Sequence, residues 1–231
     1  MKLNKKIFSP IWIIVSFVLV NACINKKGFS ESEKSMLTNH GYDPELISEV
    51  REFSDSEITE KRSAEEYWAF KDSTNYVRFN EKDLVGLKFN ESSENATTIV
   101  NSLQNKFNQN GYFIYVSESN FGYSPDEITI LKTKDKFDIL RFEGTSGINY
   151  DIFVEDIIEK LSAWDKQYGI KIFGAGFDFI EGEYQKIPGD VKEHAQEVYE
   201  FCPDIVDQGT GSVEELEKEM ENSKYLFLWW D

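Results

Sequence analysis

Five oxygen-bearing side chains are the first place to look for chemistry: Asn149, Asp151, Asp178, Asp204 and Asp207. Carboxylates and amides of this kind hold hard cations such as Mg²⁺ or Ca²⁺, and paired carboxylates can divide general acid and base work. On that reading Asp178, Asp204 and Asp207 form a catalytic set, and Gln208 and Trp230 join the five as a possible binding site. It requires the side chains to meet in one pocket, and their spacing matches no EF-hand loop. The competing reading is structural. Asp204 and Asp207 flank a helix end and a Gly-rich turn, where Asp commonly bonds backbone amides. No metal-ligand set is singled out, and no cofactor is expected.

Cys202 is the candidate nucleophile, and a catalytic thiol needs a base within hydrogen-bond reach. The nearest histidine is His194, eight residues away, which on one helix is about 12 Å along the axis. Cys202 also continues the apolar stripe Val191, Ala195, Val198, so it reads as a buried structural thiol. Gly174-Ala-Gly176 lacks the third glycine opening a helix that a dinucleotide fingerprint needs. Gly209-Thr-Gly211 precedes a helix, but Glu214 and Glu215 follow and no lysine stands beside it. A plain turn and cap fits it better than an anion cradle.

The elements that would position these groups are legible from residue 90 onward. Ala96, Ile99, Leu103 and Phe107 form one apolar helical face, and Phe153, Ile157, Leu161, Trp164 and Tyr168 another. Strands are expected at 112–116, 128–131, 137–142 and 170–173, this one broken by Gly174-Ala-Gly176 and resumed over 177–184, with a wholly apolar last strand at 225–230 suited to a central position. Ser212 with Glu215 caps a last helix bearing Val213, Leu216 and Met220. Helices alternating with strands imply an α+β fold, a mixed sheet packed against helices as a sandwich. Residues 35–89 read as a small, mainly helical accessory region. Ser30 with Glu33 and Asp43-Pro44-Glu45 supply its helix starts, residues 54–66 are charged and irregular, and short strands follow.

The first 22 residues do not match the rest. Lys2, Lys5 and Lys6 precede an apolar stretch over residues 7–20, and Val20-Asn21-Ala22-Cys23 closes it. This layout resembles a bacterial lipoprotein signal, in which the cysteine is lipidated and becomes the new N-terminus. An uncleaved anchor and a plain secretory signal are the alternatives. The 14-residue stretch falls short of the ~20 residues a spanning helix needs. The expected organisation is a signal at 1–22, a lipid-anchored tether at 23–34, the accessory region at 35–89 and the main domain at 90–231. Cleavage takes three lysines and no acid from a formal charge of −17, leaving −20. Such an acidic chain is a poor match for a nucleic-acid backbone and a good one for a basic partner.

Four segments occur in the order Thr145-Ser-Gly-Ile-Asn-Tyr-Asp151, Gly174-Ala-Gly-Phe-Asp178, Phe201-Cys-Pro-Asp-Ile-Val-Asp-Gln-Gly209 and Leu228-Trp-Trp-Asp231. With the Asn120-Phe-Gly122 loop and Phe137-Asp-Ile-Leu140, they resemble the bacterial family catalogued as domain of unknown function 4253, over roughly residues 90–231. That resemblance implies no activity, substrate or cofactor. The expectation for function is therefore a lipid-anchored binding module of the cell envelope, facing outward from the cytoplasm on the outer membrane where a cell has one. A basic protein is the expected partner; a protective lipoprotein that neutralises a toxin is one specific form. A carboxylate- or divalent-metal-dependent hydrolase and a structural envelope component are the competing classes, and the sequence leans away from an enzyme.

Overall fold

The computed structural model describes residues 28–64, 68–72, 75–78 and 84–231. The signal segment at 1–22, Cys23 and the start of the tether, residues 24–27, lie outside the described residues. Helix α1 (Glu31–Asn39) opens with a reciprocal cap. Glu33 N donates to Ser30 Oγ at 3.2 Å, and Ser30 N donates to Glu33 Oε2 at 2.7 Å. Helix thus begins inside the stretch read as tether. Asp43 caps α2 (Pro44–Ile47), which runs on as a 3₁₀ turn over Ser48–Glu52.

Strand β1 (Thr59–Arg62) follows, where the sequence shows only charge. It lies at a sheet edge, where charged side chains are tolerated because one flank is solvent. Strands β2 (Trp68–Asp72) and β3 (Asn75–Arg78) pair antiparallel as a separate two-stranded sheet. The chain continues through β4 (Val85–Glu91), α3 (Ser93–Gln109), β5 (Tyr112–Glu118), β6 (Asp126–Lys132), α4 (Asp138–Glu143), α5 (Val154–Tyr168), β7 (Ile170–Ala175), β8 (Phe179–Tyr184), α6 (Val191–Phe201), a π-helical turn at Ile205–Thr210, α7 (Val213–Ser223) and β9 (Tyr225–Trp229). No helix among the described residues is long and apolar enough to cross a membrane.

The large sheet runs β1-β4-β6-β5-β7-β8-β9. Every neighbouring pair is antiparallel except β5 and β7, which meet in parallel at Val116 and Gly174. The fold is α+β with a mixed sheet, and helices cover both faces. Strand alternation divides the core. Ile114 and Val116 of β5 join Leu37, Ile47, Ile99 and Phe107 in one cluster, whereas Tyr115 joins Ile157, Leu161 and Trp164 in the other. Strand β4 spans residue 90 and pairs with β6, so chain from both sides of that position shares the sheet.

Three local expectations are corrected. The strand expected at 137–142 is instead helix α4 (Asp138–Glu143) with Phe137 at its N-cap. Asp138, Ile139, Leu140, Phe142 and Glu143 are all buried, and a short run buried all round carries no period that separates helix from strand. Gly144 ends it in the left-handed region at φ 73°. The glycines at 174 and 176 do not interrupt one strand. A register shift falls between Ile172 and Gly174, and the chain then turns back, so β7 and β8 are antiparallel neighbours. Strand β9 lies at an edge of the sheet, not its centre. Leu226, Leu228 and Trp230 enter the core while Tyr225, Phe227 and Trp229 alternate away from it and are less buried. Phe227 and Trp229 of that second row line a cleft.

Candidate functional site

The four segments that carry the family resemblance fold into one interlocked unit. Thr145 Oγ1 donates to Gly176 O at 2.7 Å, and Ser146 N donates to Phe177 O at 2.8 Å. Trp230 N donates to Asp178 O at 2.9 Å. Gly147 lies so close to the Trp230 indole that a Cβ there would sit 2.7 Å from its Cδ1, which explains a glycine on grounds of space. Asp204 closes the unit. Its Oδ1 accepts from Tyr150 OH at 2.6 Å and Gln208 Nε2 at 3.1 Å, and its Oδ2 accepts from Asp231 N at 2.9 Å. Burial pushes the Asp204 carboxyl up, but these three donors outweigh it and hold it below the usual range.

The oxygen-bearing residues named from sequence are distributed rather than gathered. Asp207 accepts from Tyr199 OH at 3.2 Å, Asn149 donates to Asp231 O, and Asp151 is exposed at the end of a 3₁₀ turn with φ 56°. No group of three or more His, Cys, Asp or Glu side chains among the described residues is placed to hold a metal ion. Trp230 is 3% exposed and packs edge-to-face on Phe201 at 5.8 Å, so it is a core residue. Of that set, only Asp178 and Gln208 line the cleft.

Cys202 is fully buried. Its Sγ donates to Trp229 O at 3.0 Å and accepts from Trp229 N at 3.2 Å. Burial pushes its thiol up to about 12. His194 is elsewhere, ringed by Trp164, Tyr168 and Tyr184, and Tyr184 OH lies 2.8 Å from its Nε2. A thiol reagent such as Ellman's is therefore expected to leave Cys202 unmodified in the native protein at pH 8 and to titrate it only in denaturant. Fast native labelling would contradict the burial.

The cleft has a volume of about 800 Å³. It gathers side chains from β1, β4, β5, β6, β8 and β9, from the loops around Phe121 and Phe177, and from the π-helical turn at Gln208 and Gly209. Its two lysines are already paired. Lys61 Nζ donates to Glu127 Oε1 at 2.8 Å and to both Glu143 oxygens at 2.7 and 2.8 Å, and Lys88 Nζ donates to Glu127 Oε2 at 2.7 Å. Tyr115 OH donates to Glu143 Oε1 at 2.7 Å, and Ser117 Oγ donates to Glu127 Oε1 at 2.9 Å. Burial holds Glu143 above the ordinary carboxylate range against the pull of Lys61 and Tyr115. Burial acts on Glu127 as well, but hydrogen bonds from Lys61, Lys88 and Ser117 prevail and hold it low.

Aromatic side chains complete the lining: Phe121, Phe177, Phe179, Phe227 and Trp229. Phe121 is 79% exposed and sits at φ 52°, a conformation uncommon for a bulky residue. Five carboxyl groups line the cleft against two ammonium groups, and both ammonium groups are engaged by Glu127 and Glu143. Glu181 accepts from Tyr225 OH at 2.9 Å, and burial pushes it up. Glu118 and Asp178 make no side-chain hydrogen bond or ion pair among the described residues. The arrangement repels anions and suits an apolar group that carries positive charge.

Sequence reasoning missed most of this wall because its members are far apart in the chain. The available signals were Phe177 beside Asp178, Phe121 inside the Asn120-Phe-Gly122 loop, and the Trp229-Trp230 pair, one of which had to leave the core. Residues 127–231 match the family model described as "Domain of unknown function (DUF4253)". Among curated proteins and among solved structures, nothing matches the chain. The matched segment carries Glu127, Glu143, Asp178 and Trp229, whereas Lys61, Lys88 and Phe121 precede it.

Proposed function

Taking residues 127–231 as a domain of that family, whose description assigns no activity, we propose that the protein is a recognition module of the bacterial envelope. A lipid on Cys23 tethers it, and it binds a basic protein partner. The observation that carries this reading is the cleft: an open, aromatic-walled hollow whose lysines are spoken for and whose unengaged charges are acidic. Paired charges hold the floor in one arrangement before a partner arrives, which lowers the cost of ordering it on binding. The formal charge of −20 after cleavage adds long-range attraction for a basic partner.

The test uses cells that express the full chain, fed an alkyne fatty acid, with Phe121 replaced by the photo-crosslinker p-benzoylphenylalanine. Acylation that depends on Cys23 is expected, together with a discrete cross-linked protein of basic charge. Both acylation and membrane sedimentation are expected to fall away in Cys23→Ala. Acylation that survives Cys23→Ala rejects the anchor. Irradiation that yields no cross-linked species above background rejects the recognition role.

A further inference from the structure

We infer that the cleft is a socket for one basic side chain of a protein partner, with the loops around it forming the apolar collar of the same interface. The inference rests on the recognition role proposed above and names the chemistry of what is recognised. The hollow combines two features that a lysine or arginine side chain needs together: aromatic faces for an aliphatic stem and unpaired carboxylates for the charged head. Phe177 and Trp229 supply the first, Asp178 and Glu118 the second. An anionic group finds no free ammonium, because Lys61 and Lys88 are held by Glu127 and Glu143.

The collar argues for a protein rather than a small amine. Seven large apolar side chains are exposed among the described residues, and five of them, Phe121, Tyr123, Ile148, Tyr150 and Phe177, stand on three loops. Two of these loops are tied together by the hydrogen bond from Ser146 N to Phe177 O. Phe121 and Phe177 line the cleft itself, while Tyr123 is 95% exposed and Ile148 60% exposed outside it. A ligand filling only the hollow would leave that apolar surface in water. A partner surface with one protruding basic residue covers both, in the pattern of an anchor surrounded by contacts that exclude solvent. A lipid surface is the other apolar occupant to consider, but anionic headgroups would meet the unpaired acids of the cleft.

The test measures fluorescence anisotropy of labelled seven-residue peptides against the full-length protein in detergent micelles. The peptides are identical except for a central lysine, arginine, norleucine or glutamate. The lysine and arginine peptides are expected to bind about tenfold or more tighter than the norleucine peptide, and the glutamate peptide weakest, the order that cation–π and charge complementarity dictate. Asp178→Asn and Glu118→Gln are each expected to weaken the lysine peptide several-fold without changing the norleucine peptide. Glu217→Gln on α7, away from the cleft, is expected to change neither. Near-UV circular dichroism confirms that each variant is folded. Equal affinity for the norleucine and lysine peptides overturns the inference, as does lysine binding indifferent to both Asp178→Asn and Glu118→Gln. Adsorption of the Cys23→Ala protein, which lacks the proposed lipid, to neutral or anionic phosphatidylcholine-based vesicles without charge-selective peptide binding assigns the collar to a membrane and also overturns it. Peptide selectivity with no cross-linked partner in cells defeats the recognition role alone. A cross-linked partner whose capture ignores Asp178 and Glu118 defeats the socket alone.

Discussion

Glu33→Ala is expected to cost about 3–5 kcal/mol of stability, the range for removing one partner of a buried ion pair. Glu33 and Arg51 form such a pair, with side chains 3% and 2% exposed. The Glu33 carboxylate carries two further duties. It accepts from Ser30 N at 2.7 Å, which closes the N-terminal cap of α1, and from Ile58 N at 2.9 Å. Arg51 in turn donates to the carbonyls of Ser54 and Ser56 at 3.3 and 2.6 Å. Alanine at 33 leaves a guanidinium buried without its counter-charge and two amides without acceptors. The pH dependence has a definite sign. Burial pushes Glu33 up, but the amides of Ile58 and Ser30 and the charge of Arg51 prevail, so its native value lies below its ordinary 4.5. A lowered carboxylate stabilises the fold above its unfolded value and loses that contribution as pH falls through the native one. Urea titrations from pH 7 to pH 3 are expected to show wild type losing this increment below about 4.5, with Glu33→Ala lacking the step. Equal stability of the two proteins at pH 7 would remove the ion pair from any structural role.

Trp230→Ala is expected to cost about 3–5 kcal/mol, as truncation of a buried tryptophan does. The indole packs on Phe201 and against Gly147, and its Nε1 donates to Phe201 O at 3.4 Å. It thereby joins three of the four segments that carry the family resemblance in one contact. Trp229→Ala is expected to do the reverse: about 1 kcal/mol of stability, since its half-buried ring rests on a cleft wall, but loss of most peptide binding. Denaturant melts paired with the anisotropy titration separate the two. A Trp230→Ala protein of wild-type stability that fails to bind would move that residue from core to site.

The helical stripes were legible because their period is local. Ile99, Leu103 and Phe107 are all buried on α3, as are Ile157, Leu161 and Trp164 on α5. The caps at Ser30, Asp43 and Ser212 were legible for the same reason. Helix α4 and strand β1 were not, one because it is buried all round and the other because it is a charged edge. Asp204 stood among the candidates the sequence offered, and its surroundings are set by Tyr150, Gln208 and the amide of Asp231. Only the folded chain brings those partners together. Lys61, Glu127 and Glu143 had no motif to announce them, because their spacing in sequence has no physical meaning until β1, β6 and α4 become neighbours.

Packing of Phe29 on the core bears on where the protein can act. Phe29 already packs on the core, with the Arg51 guanidinium 5.2 Å from its ring centroid. With the lipid proposed on Cys23, five residues separate the anchor from Phe29. Even fully extended that leash spans only about 20 Å. On that proposal the molecule would ride at the bilayer surface like a float on a short mooring, and a partner would have to come down to the membrane or already reside in it. Encounter becomes a search in two dimensions, set by surface density rather than by bulk concentration. Inserting a flexible segment of about 20 residues after Cys23 would lengthen the mooring and change partner capture without touching the cleft.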